Sequence, residues 1–202
     1  MSGQDAIRAV CGAVGMSEPD GWGAYFDLVR AWGSRTDLTA ARTDTELAEI
    51  LFLDAAQVIR AGWTAPSSSL VDIGAGVGAP TLPIVLSDPT LSGTLVEPRR
   101  IRTAFLRTAV GTVGIAPRAT VLEQKIDPAR PVVDGTPFSI AISRATFSPE
   151  EWLGIGAQLA EEVWVLTAGA EVQAPAGLRL DRRLDYEVPS SGAPRAILSY
   201  RR

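Results

Sequence analysis

The chain of 202 residues, 46% hydrophobic and 21% charged, has the composition of one globular domain, which excludes a disordered or fibrous protein. It holds no histidine and one cysteine, Cys11, so an intramolecular disulfide, the usual zinc sites, histidine-dependent triads and Cys–His pairs are all ruled out. A net charge of −4 argues against coating nucleic acid or membrane by bulk electrostatics and leaves only local patches for such contacts.

The start, MSGQDAIRAV, places Asp5 where a signal peptide carries positive charge. No apolar run reaches the roughly 18 residues of a membrane span, so a cytoplasmic protein is expected. Residues 4–62 read as a helical N-terminal cap, taken here as 1–69 with its closing loop. Within 21–33, Trp22, Tyr25, Phe26, Val29 and Trp32 recur at spacings of three and four, the mark of one buried helix face, with Asp20 as the expected cap. A second stripe, Leu47, Ile50, Leu51, Ala55, Val58 and Ile59, predicts a helix ending near Gly62. Asp54 falls on that stripe, where an unpaired carboxylate would cost several kcal/mol, so it must be hydrogen-bonded or face a cleft.

After the loop 62–69 the pattern changes to short apolar runs, which predicts an α/β core over 70–202 in one compact unit with the cap. Strands are expected at 70–73, 93–97, 119–122, 139–143 and 163–167, with helices in the crossovers between them. Segments 179–188 and 195–201 read as a closing antiparallel hairpin. The run LVDIGAGVGAP, Leu70 to Pro80, leads a buried strand into closely spaced glycines before a helix, the form of a nucleotide-cofactor loop. Gly74 and Gly76 permit a sharp turn and close backbone approach to a ligand. Glu97, at the end of the next strand, can take two ribose hydroxyls. A dinucleotide fingerprint would place its third glycine at Ala79, which leaves that test open. Asp72, two residues before the first glycine, suits a ligand with a positive amino group and would repel a pyrophosphate, which favours S-adenosylmethionine over NAD.

These motifs together resemble a class I S-adenosylmethionine-dependent methyltransferase and, more narrowly, the small-subunit ribosomal RNA methyltransferase G family, also called glucose-inhibited division protein B. The resemblance runs from Tyr25 to Leu166. It rests on DLTA (Asp37 to Ala40), FLDA (Phe52 to Ala55), the glycine loop, LVEPRRIRTAFL (Leu95 to Leu106) and ISRATF (Ile142 to Phe147). It implies a Rossmann-like, mostly parallel sheet with an antiparallel last strand. By the same resemblance, cofactor contacts fall on Gly74, Ala79, Ile126, Asp127 and Arg144, with Glu97 on the ribose. It further implies ribosomal RNA or the small ribosomal subunit as partner and no metal. Arg144 also ends a strand that otherwise reads FSIAIS, which puts a guanidinium at the ligand edge of the sheet, free for a carboxylate or phosphate or paired with Asp72 or Asp54. The chain departs from the family in lacking a histidine before Phe52, a serine at Ala55 and a lysine-glycine pair after the fifth strand; Arg99 and Arg100 stand where the family has lysines.

Methyl transfer from a sulfonium displaces an already activated carbon, so orientation is the main requirement. Guanine N7 offers a lone pair and no proton, and needs neither a general base nor the nucleophilic cysteine that Cys11, in the cap, does not provide. An exocyclic-amine target would call for an Asn/Asp-Pro-Pro-aromatic motif where this chain has Ser143, Arg144, Ala145 and Thr146. Between 97 and 144, eight basic residues (Arg99, Arg100, Arg102, Arg107, Arg118, Lys125, Arg130 and Arg144) face four acids, whereas 1–69 has five arginines and nine acids. That asymmetry suits one face turned to RNA phosphates, with Arg99, Arg100 and Asp54 as substrate contacts. Guanine-N7 methylation of small-subunit (16S) ribosomal RNA is the leading expectation. A same-fold enzyme redirected to a small molecule or another RNA, and an inactive cofactor-binding relative, are the alternatives.

Overall fold

The computed structural model describes residues 2–34, 36–170 and 172–202. Four helices, α1 (Gly3–Val14), α2 (Trp22–Gly33), α3 (Asp44–Ala48) and α4 (Asp54–Arg60), form the N-terminal layer. The start of α2 differs from expectation. Gly21 holds the cap position with a φ of 83°, so Asp20 lies one residue too early and no side chain bonds the first turn. The single helix predicted from Leu47 to Ile59 is interrupted by a π-helical turn, Glu49–Leu53, between α3 and α4. Such a turn adds a residue per revolution without breaking the apolar stripe, which is why periodicity alone did not reveal it.

Seven strands follow: β1 (Ser69–Ile73), β2 (Ser92–Val96), β3 (Ala119–Leu122), β4 (Phe138–Ser143), β5 (Ala160–Thr167), β6 (Arg179–Glu187) and β7 (Pro194–Arg201). Their order is β3-β2-β1-β4-β5-β7-β6, with β1 to β5 parallel and β7 antiparallel to both β5 and β6. Helices α5 (Thr81–Ser87), α6 (Arg100–Thr112) and α7 (Pro149–Leu159) fill three crossovers. The crossover between β3 and β4 has no helix, contrary to expectation. Pro128, Pro131 and Pro137 remove backbone donors from 123–137, and Gly135 turns the chain at a φ of 100°. No helix joins β5 to β6 among the described residues either.

The apolar runs in the parallel strands arise because both faces of the sheet are covered. On one face Leu70, Leu95, Ile140, Ile142 and Trp164 join a buried cluster with Trp22, Phe52, Leu82 and Phe105, so the N-terminal helices share a core with α5 and α6. On the other face Val71, Ile73, Ala141, Val163 and Val165 pack with Trp152 and Leu153 of α7. Strand β6 is the polar exception, an edge strand with Arg179, Asp181, Arg183 and Asp185 along it, which discourages pairing with another chain. No helix among the described residues is long and apolar enough to cross a membrane. The strand order reverses between β1 and β4, and open α/β sheets bind ligands at the carboxyl ends of such a pair.

Candidate active site

At the end of β1 the chain turns sharply, with the Gly74 and Ala75 N–H groups both donating to Val96 O at 2.8 and 3.1 Å. Gly74 and Gly76 take φ values of 77° and 59°, a region that side chains with a Cβ rarely enter. A Cβ on Gly74 would run into the Thr146 hydroxyl, whereas one on Gly76 would meet nothing closer than 3.8 Å, so bare backbone faces open space there. The N-terminal layer braces this loop from outside. Tyr25 of α2 donates its hydroxyl to Val77 O at 2.5 Å, and Trp22 donates Nε1 to Pro83 O at 3.1 Å. Trp22 in turn stacks on Phe52 at 4.5 Å, which fixes α2 against the π-helical turn.

Two buried carboxylates support the loop. Asp72 Oδ2 accepts from the Thr81 hydroxyl at 2.8 Å. Burial pushes its carboxyl up to about 7, against the opposing effects of the Thr81 hydrogen bond and the Arg144 charge. Glu97 accepts from Gly76 N–H and from Arg99 N–H, both at 2.9 Å, and so ties the loop to the start of α6.

A cavity of about 290 Å³ opens over the loop, lined by Gly74, Gly76 and Ala79, by Leu38 and Thr39 of the DLTA segment, and by Arg102, Arg144 and Thr146. Ala40, Ile50, Arg144 and Ala145 also border a second cavity of about 810 Å³, between the π-helical turn, the loop after β4 and the β6–β7 hairpin. Arg144 stands at this junction. Its Nη1 donates to Ile50 O at 2.7 Å and to Asp54 Oδ2 at 3.1 Å, while Asp54 Oδ1 accepts from the Tyr186 hydroxyl at 2.6 Å. Asp54 therefore meets both conditions set by its place on an apolar stripe, since it is hydrogen-bonded and lines the second cavity. Glu49, from the same turn, accepts from Ser190 N–H at 2.8 Å and from the Ser190 hydroxyl at 2.6 Å.

Of the residues singled out in the sequence, Gly74, Gly76, Ala79 and Arg144 line the smaller cavity, and Asp54 the larger. Asp72 and Glu97 lie beneath the loop and do not border the opening. Ile126 is buried in the cluster with Val71, Ile73 and Val96, and Asp127 is exposed, accepting from Ala129 N–H at 3.0 Å; neither borders either of these two cavities. Arg99 and Arg100 are exposed at the start of α6. Arg118, one of the eight basic residues counted toward an RNA-facing region, spends its Nη1 on the carbonyls of Val85, Asp88 and Leu91. Cys11 is buried in the cap, where burial pushes its thiol up to about 11. Sequence reasoning missed Tyr25, Thr81 and Tyr186, and the role of Arg102 in the cavity. The DLTA segment had pointed to the region that supplies Leu38 and Thr39.

The profile of the rRNA small subunit methyltransferase G family matches residues 22–172. The ribosomal RNA small subunit methyltransferase G of Myxococcus xanthus is 28% identical over 209 residues, covering 96% of this chain and 94% of its own. That of Clostridium beijerinckii is 31% identical over 121 residues, covering 60% of this chain and about half, 51%, of its own. Among solved structures, a SAM-dependent methyltransferase from Aquifex aeolicus has the same fold, with a TM-score of 0.55 at 14% identity over 76% of this chain and 92% of that one. The matched span takes in the glycine loop, Asp54 and Arg144 but stops before the β6–β7 hairpin that walls the larger cavity. The chain belongs to the rRNA small subunit methyltransferase G family, a family of methyltransferase enzymes.

Proposed function

We propose that this methyltransferase takes its methyl group from S-adenosylmethionine and places it on N7 of a guanine in small-subunit (16S) ribosomal RNA. The observation that carries the reading is the junction of the two cavities at Arg144, one over the glycine loop and one large enough for a base, within a chain of this family. The residues present fit the cofactor. Bare backbone at Gly76 leaves room for close approach, and Arg102 and Arg144 offer guanidinium donors for a carboxylate. Asp72 and Glu97 place two buried carboxyl groups under the loop, where the sequence reading puts the amino group and the ribose hydroxyls. Ile126 and Asp127 enter this set only through the resemblance.

S-adenosylmethionine supplies a methyl group already activated on a sulfonium, so the protein has to align donor and acceptor and exclude water. A purine in the larger cavity with its N7 edge turned to the junction meets that requirement, and N7 has no proton to remove. Arg99 and Arg100, exposed at the start of α6, support phosphate contacts to the RNA around the target. This open basic surface favours RNA over a small molecule as substrate.

The test is calorimetric titration with S-adenosylmethionine and its demethylated product on the native chain and on Gly74→Val, followed by labelled-methyl transfer to small-subunit ribosomal RNA. We expect micromolar binding by the native chain, loss of binding in the variant, and label at a guanine whose site is cleaved by borohydride and aniline, the behaviour of N7-methylguanine. Binding without transfer to RNA would identify a cofactor-binding relative instead, and label at a site resistant to cleavage would move the target atom.

A further inference from the structure

A purine in the larger cavity whose N7 meets a methyl donor over the glycine loop must turn that edge to the junction of the two cavities. Whatever tells guanine from adenine on this edge has to stand there too, because the exocyclic group on C6 is the neighbour of N7. Guanine carries an acceptor there, O6, and adenine an amino donor. Among the described residues, Ala40, Ile50, Arg144 and Ala145 border both cavities. Of their side chains only that of Arg144 can donate a hydrogen bond.

Arg144 is held at one nitrogen and open at the other two. Its Nη1 donates to Ile50 O at 2.7 Å and to Asp54 Oδ2 at 3.1 Å, and Asp54 is held in turn by the Tyr186 hydroxyl at 2.6 Å. A guanidinium has five N–H donors, two of them on Nη1. The three on Nε and Nη2 have no partner among the described residues, and the side chain is 28% exposed. Arg102, the other guanidinium over the glycine loop, borders that cavity and not the larger one, which leaves the carboxylate of the cofactor to it. An arginine that takes O6 and N7 of guanine together covers the lone pair that has to receive the methyl group. With Nη1 engaged by Asp54 and Ile50 O, the fork of the two terminal nitrogens is closed to the base, and a single donor to O6 leaves N7 open. Methylation at N7 also leaves the base positively charged, and the Asp54 carboxylate neutralises the guanidinium that would otherwise repel it.

We infer that Arg144 donates to O6 of the target guanine and is the group that excludes adenine, with Asp54 and Tyr186 as the positioning residues that hold it. The inference rests on the guanine-N7 reading above, and it gives to the base a residue that the family resemblance gives to the cofactor. An adenine in the same place turns its N6 amino group against the guanidinium, donor to donor.

The test uses the full chain and small-subunit ribosomal RNA into which guanosine, 2-aminopurine riboside or 1-methylguanosine is ligated at the methylated position, once mapped. 2-Aminopurine keeps N7 and the N2 amino group but lacks O6 and the N1–H, whereas 1-methylguanosine keeps N7 and O6 and loses the N1–H. The guanosine to 2-aminopurine ratio of kcat/KM is compared between the native chain and Arg144→Met, so the intrinsic reactivity of each base cancels, as does any loss of fold or cofactor affinity. We expect that ratio to be about ten- to a hundredfold larger in the native chain, the range for one hydrogen bond from a charged donor. The guanosine to 1-methylguanosine ratio should be the same in both proteins. Tyr186→Phe, which removes one hydroxyl, should lower the first ratio severalfold and leave the second alone. If Arg144→Met transfers too little to measure, the same ratios are read as RNA affinities with the demethylated cofactor present. A guanosine to 2-aminopurine ratio equal in the native chain and Arg144→Met, or a second ratio that falls with the first, would overturn the assignment while leaving N7 methylation standing. Label at another atom of the guanine in the native chain would remove both readings together.

Discussion

With its carboxyl pushed up to about 7 by burial, Asp72 keeps a proton over a pH range in which the unfolded chain has already released it at about its ordinary 3.8. The folded state then binds more protons than the unfolded one, so the contribution of this group to stability is complete below about pH 3.8 and is lost as pH rises to about 7. Asp72→Asn copies the protonated form and has nothing to lose. Its stability relative to the native chain should climb between pH 4 and 7 and level off above, which denaturant titrations of both proteins at several pH values will show. A difference independent of pH would mean that Asp72 is ionised in the fold throughout. Asp54 was legible as a candidate because a carboxylate on an apolar stripe requires an explanation, and Asp72 because it ends a strand two residues before the first glycine of the loop. Their partners were not. Thr81 lies 9 residues from Asp72 and Tyr186 lies 132 from Asp54, and neither separation leaves a mark in local sequence.

The glycine loop is held by an element that has no chemistry of its own. Helix α2 carries Tyr25 and Trp22 to the carbonyls of Val77 and Pro83, so what reads in the sequence as a core stripe also sets the shape of the cleft. Tyr25→Phe keeps the ring but leaves Val77 O buried without that donor, which should cost about 1–3 kcal/mol of stability. Cofactor affinity should fall as well, because the loop must then be ordered on binding; denaturant titration and calorimetry check the two effects separately. Unchanged affinity would mean that the Val96 and Glu97 contacts suffice to fix the loop. The parallel strands were readable because burial on both faces makes them continuous apolar runs, and the final hairpin because its segments are short and separated by turn residues. The π-helical turn was not, since the stripe from Leu47 to Ile59 continues through it. The missing helix between β3 and β4 could have been anticipated from Pro128, Pro131 and Pro137, and the expected crossover outweighed them.

Across the whole molecule, one buried acid adds side-chain ties to the backbone ladder that joins the C-terminal strands to the parallel sheet. Glu162 of β5, 3% exposed, accepts from the Trp164 indole and the Ser199 hydroxyl at 2.6 Å each, and pairs with Arg182 of β6 and Arg201 of β7. Arg182 also lies over the Trp63 ring at 4.6 Å, which links this edge to the segment after α4. Burial alone would raise the Glu162 carboxyl, but the hydrogen bonds from Ser199, Trp164 and Arg201 and the charge of Arg182 outweigh it and hold the group below its ordinary value. Its contribution is present above the unfolded value near 4.5 and is lost as pH falls through the lower folded one. Glu162→Gln should therefore cost about 3 kcal/mol at neutral pH and progressively less under acid, measured by denaturant midpoints. A cost that does not shrink under acid would assign the effect to packing instead of charge.

The same edge also sets when the site can be finished during synthesis. The glycine loop ends at Ala79, whereas Tyr186, Ser190 and Arg195, which wall the larger cavity, come from the β6–β7 hairpin, and β7 must insert between β5 and β6. At usual elongation rates that interval lasts roughly 5 to 20 s, during which a nascent chain can fold its N-terminal layer and glycine loop. Asp54 lacks its second hydrogen-bond donor until Tyr186 has been made and paired into the sheet, so a chain still attached to the ribosome has its glycine loop before it has the last wall of the larger cavity.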